Sequence, residues 1–529
     1  MNLFQIGFAK AASQWPDNTA LRVEQKQFTY RELLRLSLSW ARPIHANNSS
    51  HSPVAIYGGR QWQMYAGILA ILAAKSTYVP LSNEQPSARN SDILAQTDCR
   101  VLLVAAGEDV SELLKHCRTK LTVIYLGSQV DARLNNASAH TLVSIDDQNQ
   151  LLPEKQSVNS NQEPADYAYL MFTSGSTGAP KGIAVSHQNI ISHLARLDAL
   201  LQIKPYDRVS QFFSLSFDLS VHDMFSCWAQ GAALYVIPKA QTICPAHFIK
   251  NNEITVFCAV ASILSLLDKF GQLTQHSLPS LRVSCFGGEK LLTEQAQKWQ
   301  MCATNSRVIN LYGPTECTIT ATYFEFSAKQ KLKSASVPIG KALTGLSAIL
   351  FAQGQQVTEQ HTLAELYIAG DQLVDGYWQD DEKTAQSFVL LDNGLRYYCT
   401  GDIVYLNEHN DLVFHGRVDH QFSIAGHRVE AGEIESAIVG YHQSITWCAV
   451  KAITQPHTQQ QQLCAFIETT SSIDEAALKQ HCQSSLPRYM IPDEFYYFDS
   501  LPRNISGKVD LKALISPHTP IKNTDLEYL

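Results

Sequence analysis

Short, continuous apolar runs separated by stretches of helical length constrain this chain most. VAIYG (54–58), VLLVA (101–105), TVIYL (122–126), YAYLMF (167–172), ALYVIP (233–238), ITVFCAV (254–260), RVSCFG (282–287) and RVINLYG (307–313) show no polar alternation. A strand with one wet face alternates apolar and polar residues, so these runs require cover on both faces. Segments such as ILSLLDKF (263–270) and LTEQAQKW (292–299) supply helices for that cover. The expected fold class is α/β, with a large N-terminal body of sheets packed with helices. YAGILAILAA (65–74) is about half the ~20 residues of a membrane span and is read as a buried helix.

The character changes after GRVDHQ (416–421), where QFSIAG, WCAVKAI and QLCAFIET alternate with two helical segments. The expected domains are therefore residues 1–418, a core, and 419–529, a small mobile C-terminal α+β domain. PEKQSVNSNQEP (153–164) reads as a surface loop, and QPHTQQQQ (455–462) as a hairpin-type loop.

Forty-one basic against 49 acidic residues give a net charge of −8, which offers no general attraction to nucleic acid or other polyanions. Twelve cysteines form no CxxC pair and no zinc-type spacing, so neither a disulfide framework nor a metal cluster is expected. With no signal-like start in MNLFQIGFAKAASQ and no membrane span, a reducing, cytoplasmic location is expected.

The strongest local signal is MFTSGSTGAPKGIAVSH (171–187), a strand running into a Ser/Thr/Gly-rich loop that contains Lys181. Gly175, Gly178 and Gly182 let backbone amides turn inward, and Ser174, Ser176 and Thr177 add hydroxyl donors, a cradle suited to polyphosphate. A generic glycine-rich loop is the alternative. The Walker pattern fails, because Lys181 lies between Pro180 and Gly182.

Further motifs follow in order: TYVPL (77–81), this loop, FDLS (217–220), GGE (287–289), YGPTE (312–316), ELYIAG (365–370), YCTGD (398–402), GRVDHQ (416–421), GHRVEAGEIE (426–435), LPRYMIP (486–492) and NISGKVD (504–510). On these the chain resembles the adenylate-forming ligases: acyl-CoA synthetases, beetle-type luciferases and the amino-acid adenylation domains of nonribosomal peptide synthetases. It is most similar to a stand-alone amino-acid adenylation enzyme. The resemblance implies ATP and Mg²⁺, with Thr173, Ser174, Gly175, Ser176, Thr177, Gly178 and Lys181 at the phosphates, and Gly288, Asn310, Gly313 and Thr315 at the nucleotide. Tyr312 ends a strand, where open α/β sheets bind ligands, and the family stacks adenine there; simple core packing is the alternative. Glu316 offers a hard oxygen for Mg²⁺. The resemblance sets Asp402, read locally as an exposed loop carboxylate able to cap a turn, on the ribose. The guanidinium fork of Arg417 suits ribose and phosphate oxygens, although an isolated arginine reads as a solvated charge.

By default a lone lysine lies on the surface, but the resemblance makes Lys508 the catalytic lysine that bridges the substrate carboxylate and the α-phosphate. It makes Asp419 the hinge between the two domains. Ser423 and Ala425 stand where the peptide-synthetase pattern has Lys and Arg, so no cationic contact carries over to them.

Amino-acid-activating members pair the aspartate matching Asp218 with the substrate α-ammonium; a turn-capping Asp is the alternative, and Asp223 a weaker candidate. The side-chain pocket carried over by motif comprises Leu219, His222, Ser262, Cys285, Gly287, Leu311, Ile319 and Thr320. It has no carboxylate or permanent cation, which favours a small neutral amino acid; His222 reads equally as a packing histidine. The chain ends soon after NISGKVD, so the expected acceptor is the phosphopantetheine thiol of a separate carrier protein in nonribosomal peptide-type or related secondary metabolite biosynthesis. The alternative is an acyl-CoA ligase acting on a small carboxylic acid.

Overall fold

A computed structural model describes residues 2–48, 52–127, 139–145, 166–175, 180–330, 332–419, 421–424, 426–454 and 461–502. The chain divides into two compact units. One comprises Met1–Asn83, Asn90–Phe172 and Gly182–Val418; the other comprises Glu84–Arg89, Thr173–Lys181 and Asp419–Leu529.

Among the described residues, the first unit contains three sheets. A nine-stranded sheet runs in the spatial order Lys341–Ala342, Thr322–Phe326, Arg307–Tyr312, Val283–Gly287, Val256–Ala259, Arg208–Gln211, Ala233–Val236, Thr19–Val23, Lys26–Thr29. Its six central strands are parallel and its flanking strands antiparallel. A seven-stranded sheet orders Thr141–Ile145, Thr122–Leu126, Val101–Ala105, Val54–Gly58, Tyr78–Ser82, Tyr167–Thr173, Lys181–Ser186. The third sheet, antiparallel, is built on Ser347–Ala352, Ala364–Ala369, Arg396–Leu406 and Leu412–Arg417.

The continuous apolar runs are explained by burial on both faces. Val54 and Ile56 join the main core, whereas Ala55 and Tyr57 face a second one. Likewise Cys258 and Cys285 pack into the main core, and Phe257 and Phe286 into a third. Successive strand residues point to opposite sides, so each core claims alternate residues and neither face is polar. The YAGILAILAA segment lies in the helix Trp62–Ala73, which is buried over almost its whole length. Among the described residues, no helix is long and apolar enough to cross a membrane.

The second unit has its own core of Val429, Ile434, Val450, Ala465, Leu478 and Phe495. The helices Ala431–Val439 and Glu475–Ser485 accompany a hairpin, Gln421–Ile424 with His427–Glu430. Ile445–Thr454 pairs antiparallel with Gln461–Thr469, which pairs parallel with Glu494–Phe498. The loop expected at 153–164 and residues 455–460 of the loop expected at 455–462 lie outside the described residues.

Candidate active site

The expected substrate residues gather at the carboxyl edge of the parallel strands, where loops leave a sheet covered on both faces. Asp218 precedes the helix Leu219–Ala229, Ser262 opens the helix Ser262–Lys269, and Gly287 closes the strand Val283–Gly287. Gly287 lies in register with Leu311. A Cβ there would meet the Leu311 carbonyl oxygen at 3.3 Å and Leu219 Cδ1 at 3.8 Å, so these three residues adjoin. Cys285 is one pleat further back, in register with Cys258 and Ile309. Glu289 of the GGE motif, to which the sequence assigned no role, accepts the Ser262 backbone N–H at 2.7 Å.

Ile319 and Thr320 sit on the return from the strand Arg307–Tyr312 to Thr322–Phe326, closed by the Ala321 N–H on the Tyr312 carbonyl at 2.8 Å. A Cβ on Gly313 would lie 2.5 Å from Thr320 Cα, so this return admits only glycine. Thr318 and Ile319 hold φ of 56° and 72°. Left-handed backbone at β-branched residues costs on the order of 1–3 kcal/mol each and persists only where the surroundings dictate it.

Asp218 is buried at the N-cap of its helix but makes no side-chain capping bond. Burial raises its carboxyl from the ordinary 3.8 to about 6, against a hydrogen bond with Thr315 and with repulsion from Glu316. Among the described residues no cation contributes to holding it ionised. His222 is buried and held neutral, pushed down to about 4 by burial, and its Nδ1 has no hydrogen-bond partner among the described residues. Asp223 is fully buried and accepts the Phe212 backbone N–H at 3.1 Å, a tie within the fold. Spacing gave no metal-type cluster, yet the fold brings ligand atoms of His222, Asp223 and Cys258 within 4.8 Å of one another. They come from a helix and a separate strand, which no spacing pattern links.

The expected nucleotide residues of the first unit also converge. Asp402 is a buried strand residue, which corrects its reading as an exposed loop carboxylate: Arg396–Leu406 runs through YCTGD without a break. Antiparallel pairing sets Asp402 opposite Arg417, and the two form an ion pair. The Tyr312 hydroxyl donates to the other oxygen of Asp402, so ring, carboxylate and guanidinium form one constellation. The Asn310 amide donates to the carbonyls of Val337 at 3.3 Å and Pro338 at 2.8 Å. Gly288 is exposed with φ of 80°. Thr315 opens a 3₁₀ turn that ends at Cys317 and includes Glu316. Glu316 is fully buried and accepts the Tyr377 hydroxyl at 2.8 Å, an orienting contact absent from the sequence motifs.

Thr173, Ser174, Gly175 and Lys181 belong to the second unit. Lys181 begins the strand Lys181–Ser186 and is buried, which corrects its placement within the loop: sheet pairing starts at the lysine itself. Its Nζ lies 3.8 Å from Glu430 Oε1. The Ser174 hydroxyl donates to the Arg428 carbonyl at 2.7 Å, and the Gly175 N–H donates to Glu433 at 3.3 Å. Glu433 is buried and ion-paired with Arg89; burial raises its carboxyl while Arg89 opposes the rise. Asp419 is exposed and accepts the Gln421 N–H at 3.3 Å. Ser423 lies in the strand Gln421–Ile424. Ser176, Thr177, Gly178, Ala425 and Lys508 lie outside the described residues.

Among solved structures, the chain is similar to the Vibrio cholerae adenylation domain AlmE, solved with glycyl-adenosine-5′-phosphate. The identity is 35% and the TM-score 0.86, with 97% of this chain and 96% of that one covered. It is 32% identical to tyrocidine synthase 1 of Brevibacillus parabrevis over 98% of its own length, and 32% identical to gramicidin S synthase 1 of Brevibacillus brevis over 96%. It spans 45% and 44% of those two relatives. The family model of the AMP-binding enzyme matches residues 8–378, and that of the AMP-binding enzyme C-terminal domain matches 433–508. With the first of these matches alone spanning more than half its length, the chain belongs to the family of AMP-binding enzymes, the adenylate-forming ligases.

Proposed function

We propose that the protein activates a small neutral amino acid as its aminoacyl adenylate and passes the acyl group to the phosphopantetheine thiol of a carrier protein. One observation carries the amino-acid reading: Asp218 is a buried carboxylate without a cation among the groups that shift it. Such a group is costly alone and is matched by a substrate ammonium. The neutral His222 and the close approach of Leu311 and Leu219 to Gly287 support a small, uncharged side chain. AlmE, the similar adenylation domain, was solved with a glycyl adenylate, which supports glycine as the first amino acid to test.

In this reading the ionised substrate carboxylate attacks the α-phosphorus of ATP, forms the acyl–phosphate bond and releases pyrophosphate. The carrier thiol then attacks the acyl carbon, forms the thioester and releases AMP. Tyr312, Asp402 and Arg417 orient the adenosine, and Lys508 neutralises charge that develops at the carboxylate and α-phosphate. Glu316, a hard donor oriented by Tyr377, fits Mg²⁺, which supplies charge neutralisation at the phosphates. Asp419 is the hinge on which the C-terminal domain turns between the two half-reactions.

The test is ATP–pyrophosphate exchange with a panel of amino acids, each beside the acid that lacks its amino group. Amino-acid-dependent exchange is expected. Preference for the deaminated acids moves the protein to the carboxylic-acid ligases. Supplying a pantetheinylated carrier protein or free CoA as acceptor separates the two thioester routes, with the carrier protein expected to win.

A further inference from the structure

Gln372 belongs to no motif recognised in the sequence, yet it is almost wholly buried beside the strained return that carries Ile319 and Thr320. Its Nε2 donates to the carbonyls of Thr320 at 2.8 Å, Cys317 at 3.2 Å and Thr318 at 3.4 Å. Its own carbonyl accepts the Thr318 hydroxyl at 2.6 Å. The Thr318 carbonyl also accepts the Thr320 N–H at 2.9 Å, and the two N–H groups of the Gln372 amide face these three carbonyls of the turn.

The amide is itself held from the helix His187–Leu201. Asn189, His193 and Arg196 lie on one face of that helix. Asn189 Nδ2 donates to the carbonyls of Asp371 and Leu373, on either side of Gln372, at 2.8 and 3.1 Å. Arg196 Nη1 reaches Gln372 Oε1 at 3.4 Å, and Arg196 also pairs with Asp371 at 2.8 Å. Gln372 thus has a fixed backbone, a fixed acceptor end and a donor end aimed at the turn.

We infer that Gln372 is a positioning residue for substrate selectivity: its amide holds Thr318 and Ile319 in the left-handed conformation that presents Ile319 and Thr320 to the substrate side chain. Thr320 Oγ1, buried and without a hydrogen-bond partner among the described residues, is one of the groups so presented. The inference rests on the reading of Ile319 and Thr320 as pocket residues. A residue that merely filled the turn would, when replaced, lower stability and turnover alike for every amino acid.

The test replaces Gln372 in the full chain with Met, which keeps the shape but loses the amide, and with Glu, which keeps an acceptor towards Arg196 but loses the donor. Exchange is measured with glycine, alanine and serine, beside thermal melting. Both variants are expected to raise KM for the preferred amino acid about tenfold and to cut its kcat/KM advantage over the next-ranked amino acid at least fivefold, with KM for ATP within about twofold. A uniform fall in kcat with the selectivity ratio unchanged overturns the inference. Should Gln372→Met fail to fold, the same ratio in Gln372→Glu decides. Wild-type protein that exchanges with no amino acid overturns the functional reading itself, and with it this inference; wild-type exchange with unaltered selectivity in the variants removes only the role of Gln372.

Discussion

Replacing Asp218 by Asn separates the stability cost of a buried carboxylate from its use in binding. The carboxyl rises from 3.8 to about 6 in the folded protein, chiefly through burial. At ~1.4 kcal/mol for each tenfold in the proton equilibrium, that rise corresponds to about 3 kcal/mol. The sign follows from which state binds the proton more tightly. A raised carboxyl pKa adds stability that is fully present below about pH 4 and is lost as the pH rises through about 6. The ionised group therefore weighs against the ligand-free fold at neutral pH, and Asp218→Asn, which keeps the shape, should be more stable than wild type by up to about 3 kcal/mol at pH 7.5. The gain should vanish near pH 4. Amino-acid binding should move the other way, weakened by about 2–5 kcal/mol through the loss of a desolvated charge pair. In wild type, kcat/KM for the amino acid should also fall about tenfold per pH unit below about 6, a limb the variant lacks. Urea melts at pH 4 and 7.5 and exchange kinetics between pH 5 and 8 measure both effects. An Asn variant no more stable than wild type at pH 7.5 would refute the buried, uncompensated carboxylate, and an unchanged amino-acid KM would refute its role towards the ammonium.

Lys508→Ala is expected to slow adenylation by about 10²–10³-fold, while transfer from supplied aminoacyl adenylate is largely kept, because in the proposed mechanism the lysine acts on charge that develops only in the first half-reaction; equal losses in both half-reactions would contradict the hinge reading. Gly313→Ala would set a Cβ 2.5 Å from Thr320 Cα and should cost about 1–3 kcal/mol in a denaturant melt, with loss of exchange; a wild-type melt would show that the return relaxes freely. Asp402→Ala leaves Arg417 and the Tyr312 hydroxyl without their shared partner and should destabilise by about 3 kcal/mol while raising KM for ATP and leaving that for the amino acid nearly unchanged. A rise confined to the amino acid would place Asp402 away from the nucleotide.

The architecture is legible in the sequence because two-sided burial is written into every residue of a covered strand: Val54 to Gly58 and Val101 to Ala105 carry no polar residue that would face water. The sequence also singled out Tyr312, Asp402 and Arg417, the residues expected at the nucleotide, since each sits in a short motif, although nothing local says that they touch. Their meeting was decided by tertiary structure, through the strand register that sets Arg417 opposite Asp402 and through a hydrogen bond spanning 90 residues. Asp402 and Lys181 read as loop residues because Gly and Ser/Thr neighbours mimic turns; sheet pairing overrode that local preference in both. Thr318 and Ile319 show the same limit more sharply. Branching at Cβ favours extended backbone, so no local rule places them at positive φ; contacts from Gln372, folded in from a separate segment, reach the carbonyls of Thr318 and Thr320. The altered acidity of Asp218 belongs to the same class. A one-dimensional pattern records what each residue prefers, whereas desolvation and cross-strand contacts depend on which distant groups the fold buries together.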